Sequence, residues 1–65
     1  MNIAKAIFNM ELSHSKGEAR RLVLMDVVKV NNIKVNDIGY EVRRNDVIEI
    51  GKTKKAIFHE KKDTN

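Results

Sequence analysis

The chain has no cysteine, so neither a disulfide framework nor a thiolate metal site can support it, and a hydrophobic core must do so alone. Its three glycines, Gly17, Gly39 and Gly51, are dispersed and make neither a phosphate-binding loop nor a dinucleotide fingerprint. Apolar runs are short: Met1 to Leu12 is interrupted by Lys5 and Glu11, which fits neither a membrane span nor a secretory signal. A cytoplasmic location is the expectation. Histidine is equally sparse. His14 and His59 have no local partners at metal spacing, so no metal and no cofactor is expected. Ser13 and Ser15 flank His14, but a nucleophile needs a base oriented by a third group inside a pocket, which so small a domain rarely encloses. The expectation is a protein without enzymatic activity and without a small-molecule substrate.

Sixty-five residues suffice for one compact domain, and a composition 42% hydrophobic and 34% charged is that of a folded, soluble chain. The thirteen Lys and Arg exceed the nine Asp and Glu, giving +4. Such an excess favours polyanions yet is common in proteins that bind none, so the placement of the charges must decide.

Residues 2 to 10 place Ile3, Ile7 and Met10 on one helical stripe, broadened by Ala4 and Phe8, with Asn2, Lys5 and Asn9 opposite. Ser13-His14-Ser15 breaks this pattern. Ser15 and Glu18 then have capping-box spacing, with the Ser hydroxyl serving the third amide and Glu returning to the cap amide, so a second helix starts at Lys16. Ala19, Leu22 and Val23 turn toward the core, while Lys16, Arg20 and Arg21 spread around the other side with Leu24.

After Met25 the period changes to two. If Asn31-Asn32 makes a two-residue hairpin turn, Val28, Val30, Ile33 and Val35 share one side, and Lys29 faces Lys34 on the other. Such a like-charge pair costs stability unless solvent or an anion relieves it, and a broken local rule of this kind often marks function. Val47 to Ile50 and Ala56 to Phe58 read as further strands joined across Gly51 to Lys55, while 37 to 46 reads as a loop with a short strand near Tyr40 to Val42. The domain is expected to span 1 to 58, with 59 to 65 a polar, frayed tail.

The basic residues thus recur on three elements: Lys16, Arg20 and Arg21 on a helix, Lys29 and Lys34 on a hairpin, Lys52, Lys54 and Lys55 at a turn. Should the three sets lie on one side, they form a continuous positive surface to which a helix N-terminus adds free amides. Of three aromatics, Phe8 and Phe58 read as core, leaving Tyr40 alone to stack on a base. Single-strand readers use several such platforms, so backbone and shape of structured RNA are the expected targets.

The run Ser15-Lys16-Gly17-Glu18-Ala19-Arg20-Arg21-Leu22-Val23, followed by Val28-Lys29-Val30-Asn31-Asn32-Ile33-Lys34-Val35, resembles the RNA-binding domain named after ribosomal small-subunit protein four. The opening Met1 to Ile7, and Leu12, also sit at that family's spacing. The Ser-Lys form of the motif and Gly51 to Ile57 are most similar to the version that closes bacterial-type tyrosyl-tRNA synthetases, where the module clasps tRNA and catalysis lies in another domain. The resemblance implies an α+β fold, two N-terminal helices packed on a small antiparallel sheet, which binds structured RNA, tRNA before ribosomal RNA. By position it implies RNA contacts from Lys16, Arg20, Arg21, Lys29, Asn31, Lys34, Lys52, Lys54 and Lys55.

Four positions depart from the family pattern: Glu11 stands for a usual Gly, Gly17 for a usual Ser, Asp26-Val27 for a Gly-containing turn, and Asn32 for the hairpin Gly. Asp26 and Asn32 are expected to take the left-handed conformation at some cost in stability. Two alternatives stand beside the tRNA reading: a stand-alone ribosome-binding factor, and a protein-interaction module, for which Leu24 among the basic residues is the supporting feature.

Overall fold

A computed structural model describes residues 1–59; the expected frayed tail lies, from residue 60 on, outside the described residues. The elements run α1 (Ile3–Asn9), α2 (Lys16–Leu24), β1 (Val28–Val30), β2 (Ile33–Lys34), β3 (Val47–Ile50) and β4 (Lys54–Ile57). The strands form one antiparallel sheet in the order β2-β1-β3-β4. This is the expected α+β architecture.

One cluster unites the layers: Ile3, Ile7, Ala19 and Val23 of the helices pack with Val28, Val30, Ile48 and Ile50 of the sheet, and Phe58 joins them. Strand alternation therefore turns Lys29 and Glu49 to the sheet face away from the helices. Phe8 and Met10 only border the core, whereas Ala6, which the apolar stripe does not single out, is fully buried. An alanine at that position is legible only once a second helix is known to pack there.

Helix ends explain the chain reversals. Asn2 caps α1, its side chain accepting from the Lys5 amide at 2.8 Å. The helix then stops in a Schellman motif: the Glu11 amide donates to the Phe8 carbonyl and the Leu12 amide to Ile7, each at 3.0 Å. The residue that must turn left-handed there is Glu11, at φ 61°. Asp26, at φ 63°, is the left-handed residue that ends α2, its amide donating to the Val23 carbonyl at 3.3 Å. Asn31 and Asn32 both have positive φ, 53° and 70°, as a two-residue type I′ hairpin turn requires. Three of the four departures from the family pattern thus fall at left-handed positions, where glycine would be unstrained. The fourth, Gly17, lies on an open helix surface where an added Cβ would meet nothing closer than the Ser15 hydroxyl at 4.0 Å.

Four expectations need correction. Ile33 shares the inward side with Val30 but is 69% exposed, because β2 is a two-residue edge strand that the core does not reach. Lys54 and Lys55 belong to β4 rather than to the connecting turn. Near Tyr40 to Val42 there is only a single bridge, Asn2 to Glu41, formed because the first residues lie antiparallel to that loop. Finally, the Ser15 hydroxyl accepts from the Glu18 amide at 3.0 Å as expected, but the Glu18 carboxylate returns to the His14 amide at 2.6 Å, one residue before the cap.

Candidate nucleic-acid interface

The N-terminus of α2 is fixed by side chains before any ligand arrives. Ser13, almost fully buried, donates its hydroxyl to the Ser15 carbonyl at 2.9 Å, and Ser15 caps the helix. Hydrogen bonding to the His14 amide, with the His14 ring 3.3 Å away, holds the Glu18 carboxyl below its usual pKa. From this fixed turn Lys16 extends over the Phe8 ring, its Nζ 5.9 Å from the centroid, a cation–π distance that joins α2 to α1.

Lys16 and Arg20, one helical turn apart, form one wall of an open groove of about 420 Å³; Asn2 and Lys5 of the α1 end form the other, and Ile38 closes it. Lys5 lies outside the set of contacts expected from sequence. Its place on the exposed side of α1 is legible there, but periodicity does not tell which helix that side borders. Arg21 is exposed on α2 but does not line this groove.

The hairpin residues divide. Across the outer face of the sheet, strand register sets Lys34, Lys29, Glu49 and Lys55 in one row. Glu49 escapes the sequence reading because alternation alone does not pair β3 with β1. Asn31 is held within the fold. Its side-chain amide donates to Asp46 at 3.0 Å and its oxygen accepts from the Val47 amide at 2.9 Å, tying the turn to the start of β3.

The closing set also separates. Gly51, at φ 61°, turns the chain so that Lys52 stands exposed at the tip. Lys54 lies on the helix side and donates to the Leu12 carbonyl at 3.2 Å, bridging β4 to the α1–α2 connection. Lys55 points outward. The nine expected contacts therefore do not share one face. Lys16 and Arg20 come together with Lys5; Lys29, Lys34 and Lys55 share the far side of the sheet; Lys52 and Lys54 sit by a turn.

Among the described residues the ion pairs are those of the N-terminal amine with Glu41 and of His14 with Glu18, so no described Lys or Arg lies within 4.0 Å of a described carboxylate. An open groove rimmed by cations suits an extended polyanion, whose many phosphates need no enclosed pocket.

This is the architecture of a small α+β module that presents cations from a capped helix and a hairpin. The S4 domain family matches residues 1–48, and the chain belongs to that family, whose fold is a non-catalytic RNA-binding one. Over 54 residues it is 44% identical to tyrosine–tRNA ligase 2 of Clostridium acetobutylicum, a match covering 82% of this chain and 14% of that protein. A part of the 30S ribosomal protein S4e from Thermoplasma acidophilum has a similar fold, with a TM-score of 0.64 and 32% identity over 75% of this chain and 26% of that one. The chain thus spans about a seventh of the length of the synthetase and a quarter of the ribosomal protein.

Proposed function

We propose that the chain binds folded RNA in the cytoplasm through the phosphate backbone, with tRNA the leading ligand and ribosomal RNA the second, and does no chemistry itself. One observation carries the reading: Lys5, Lys16 and Arg20 converge on an open groove beside a capped helix start, with no carboxylate pairing them among the described residues. The preference for tRNA rests on the 44% identity to a tyrosine–tRNA ligase. As in such an enzyme, catalysis would belong to another domain.

A protein-contact reading has its own observation. Leu24 is 63% exposed and falls between Arg20 and Arg21 on the helix surface, where an apolar side chain serves a protein better than a phosphate. Titration of tRNA, a ribosomal RNA stem and an unstructured strand of equal length separates these readings. Folded RNA should bind more tightly than the strand, with log affinity falling linearly in log salt. A flat salt response, or no preference for folded RNA, favours the protein partner.

A further inference from the structure

Ile33, Ile38 and Tyr40, three of the exposed large apolar side chains, gather around the 36–40 loop. Ile38 faces the Lys5–Lys16–Arg20 groove. On the loop's other side lies a second groove of about 290 Å³, between the loop and the edge strand β2. Its apolar part is Val30, Ile33, Val35 and Tyr40; its polar part includes Lys34, Asn36 and Asp37. One loop therefore separates a cationic groove from a mixed apolar and polar one.

Tyr40 is held firmly. Its carbonyl accepts from the Ile3 amide at 2.7 Å and its amide donates to the Asp37 carbonyl at 3.0 Å, while the Asp37 carboxylate takes the Gly39 amide at 2.9 Å. Tyr40 is 38% exposed on this fixed backbone, and Ile33, which lines the same groove, is 69% exposed. A planar, partly apolar group with polar edges fits such walls: its faces against Tyr40 and Ile33, its edge toward Asn36 and Asp37. The volume is at the lower limit for a small-molecule site and suits a single ring system. An apolar protein side chain would bury the polar groups without partners, at a cost. Lys34 on the rim supplies a cation for an attached phosphate.

We infer that this second groove holds one unpaired nucleobase of the RNA whose backbone is gripped by Lys5, Lys16 and Arg20, an inference that rests on the RNA-binding reading. The preferred ligand is then a helical stem carrying a bulged or flipped nucleotide, rather than a featureless duplex. Base–aromatic stacking supplies the discrimination, and the phosphate contacts supply the bulk of the affinity.

The test compares a blunt RNA duplex with the same duplex carrying one bulged 2-aminopurine. The wild-type protein should bind the bulged duplex roughly 5- to 150-fold more tightly, with the probe's fluorescence changing on stacking. Tyr40→Phe should keep that preference and Tyr40→Leu should lose it, while both retain the wild-type salt slope. If Tyr40→Leu loses its circular dichroism, Ile33→Thr, at a 69% exposed site, carries the test by a reduced preference. Equal binding of the two duplexes with a steep salt slope overturns the inference and leaves phosphate binding standing. A preference untouched by both Tyr40→Leu and Ile33→Thr also overturns it, since the bulge then binds elsewhere. Absence of binding to either duplex at low salt removes the RNA reading itself. A dimer seen in sedimentation that Ile33→Thr abolishes, with the duplex preference intact, would make the groove a protein contact instead.

Discussion

Lys29 lies directly opposite Lys34 across the β1–β2 ladder, and on its other side stands opposite Glu49. The hairpin thus carries a like-charge pair that β3 partly offsets. Lys34→Glu would make the row across the four strands alternate in sign. Cross-strand pairs of this kind are worth about 0.2 to 1 kcal/mol, so the variant should melt a few degrees higher. Because Lys34 also rims the second groove, the same variant should bind folded RNA more weakly. An unchanged melting temperature would show that solvent already relieves the pair.

Glu11 is the clearest strained position. It occupies the left-handed C′ site of the α1 Schellman motif at φ 61°, where a Cβ costs roughly 1 to 2 kcal/mol and glycine costs far less. Glycine loses some of that gain to its freer unfolded chain. Glu11→Gly should therefore raise stability by about 1 kcal/mol in urea denaturation with an unchanged m-value. Gly17→Ala should add up to about 1 kcal/mol more, since the site is open and helical. The two sites are on different elements, and their effects should add.

These positions also show how much is legible in the sequence. The start of α2, the Asn31-Asn32 turn and the Lys29–Lys34 register follow from capping, turn chemistry and alternation, all local rules, and the structure has each of them. What local rules omit is the pairing of distant elements. Glu49 enters the charged row only through β1–β3 pairing, Lys5 reaches Lys16 and Arg20 only through helix–helix packing, and Asn31 meets Asp46 across fifteen residues. The idea of one continuous basic face fails for the same reason, because which way a lysine points depends on the strand start, and β4 begins at Lys54.

Glu18 gives the fold a pH dependence with a definite sign. Hydrogen bonding from the His14 amide lowers its folded-state pKa below the unfolded value. Fewer protons are then bound in the folded state near that pH, so this contribution is complete above the unfolded pKa and is lost as pH falls through the folded one. Glu18→Gln can still accept the amide but cannot ionise. The stability difference between wild type and Glu18→Gln should be largest near neutral pH and vanish in acid. A constant difference from neutral to acid pH would mean that the carboxylate charge adds nothing to the cap.

Asn31 separates a structural role from a binding one. Its side chain makes two hydrogen bonds to Asp46 and Val47 while its backbone is left-handed. Asn31→Gly removes the bonds without adding strain. At about 1 kcal/mol per bond, the variant should be less stable by about 2 kcal/mol in thermal or urea denaturation. The residue is neutral, so the salt slope of RNA binding should stay as it is in the wild type. A variant of full stability with weaker RNA binding would instead make Asn31 a ligand contact.

The division of the cations between two sides of the sheet gives the sharpest prediction about where RNA lies. Lys5, Lys16 and Arg20 border one groove on the helix side, whereas Lys29 and Lys55 project from the opposite sheet face. A stiff RNA helix laid along the groove cannot wrap a domain this small to reach both. Removing a side chain that neutralises one phosphate should flatten the slope of log affinity against log salt by roughly 0.7 to 0.9. Lys5→Ala, Lys16→Ala and Arg20→Ala should each show that change, and Lys29→Ala and Lys55→Ala should show none. All five positions are exposed, so folding, checked by circular dichroism, should survive every substitution. Were the pattern reversed, the outer sheet face would be the RNA surface and the groove would belong to another partner. Equal flattening by both sets would require an RNA that folds around the domain, and the binding of short straight duplexes should then be weak.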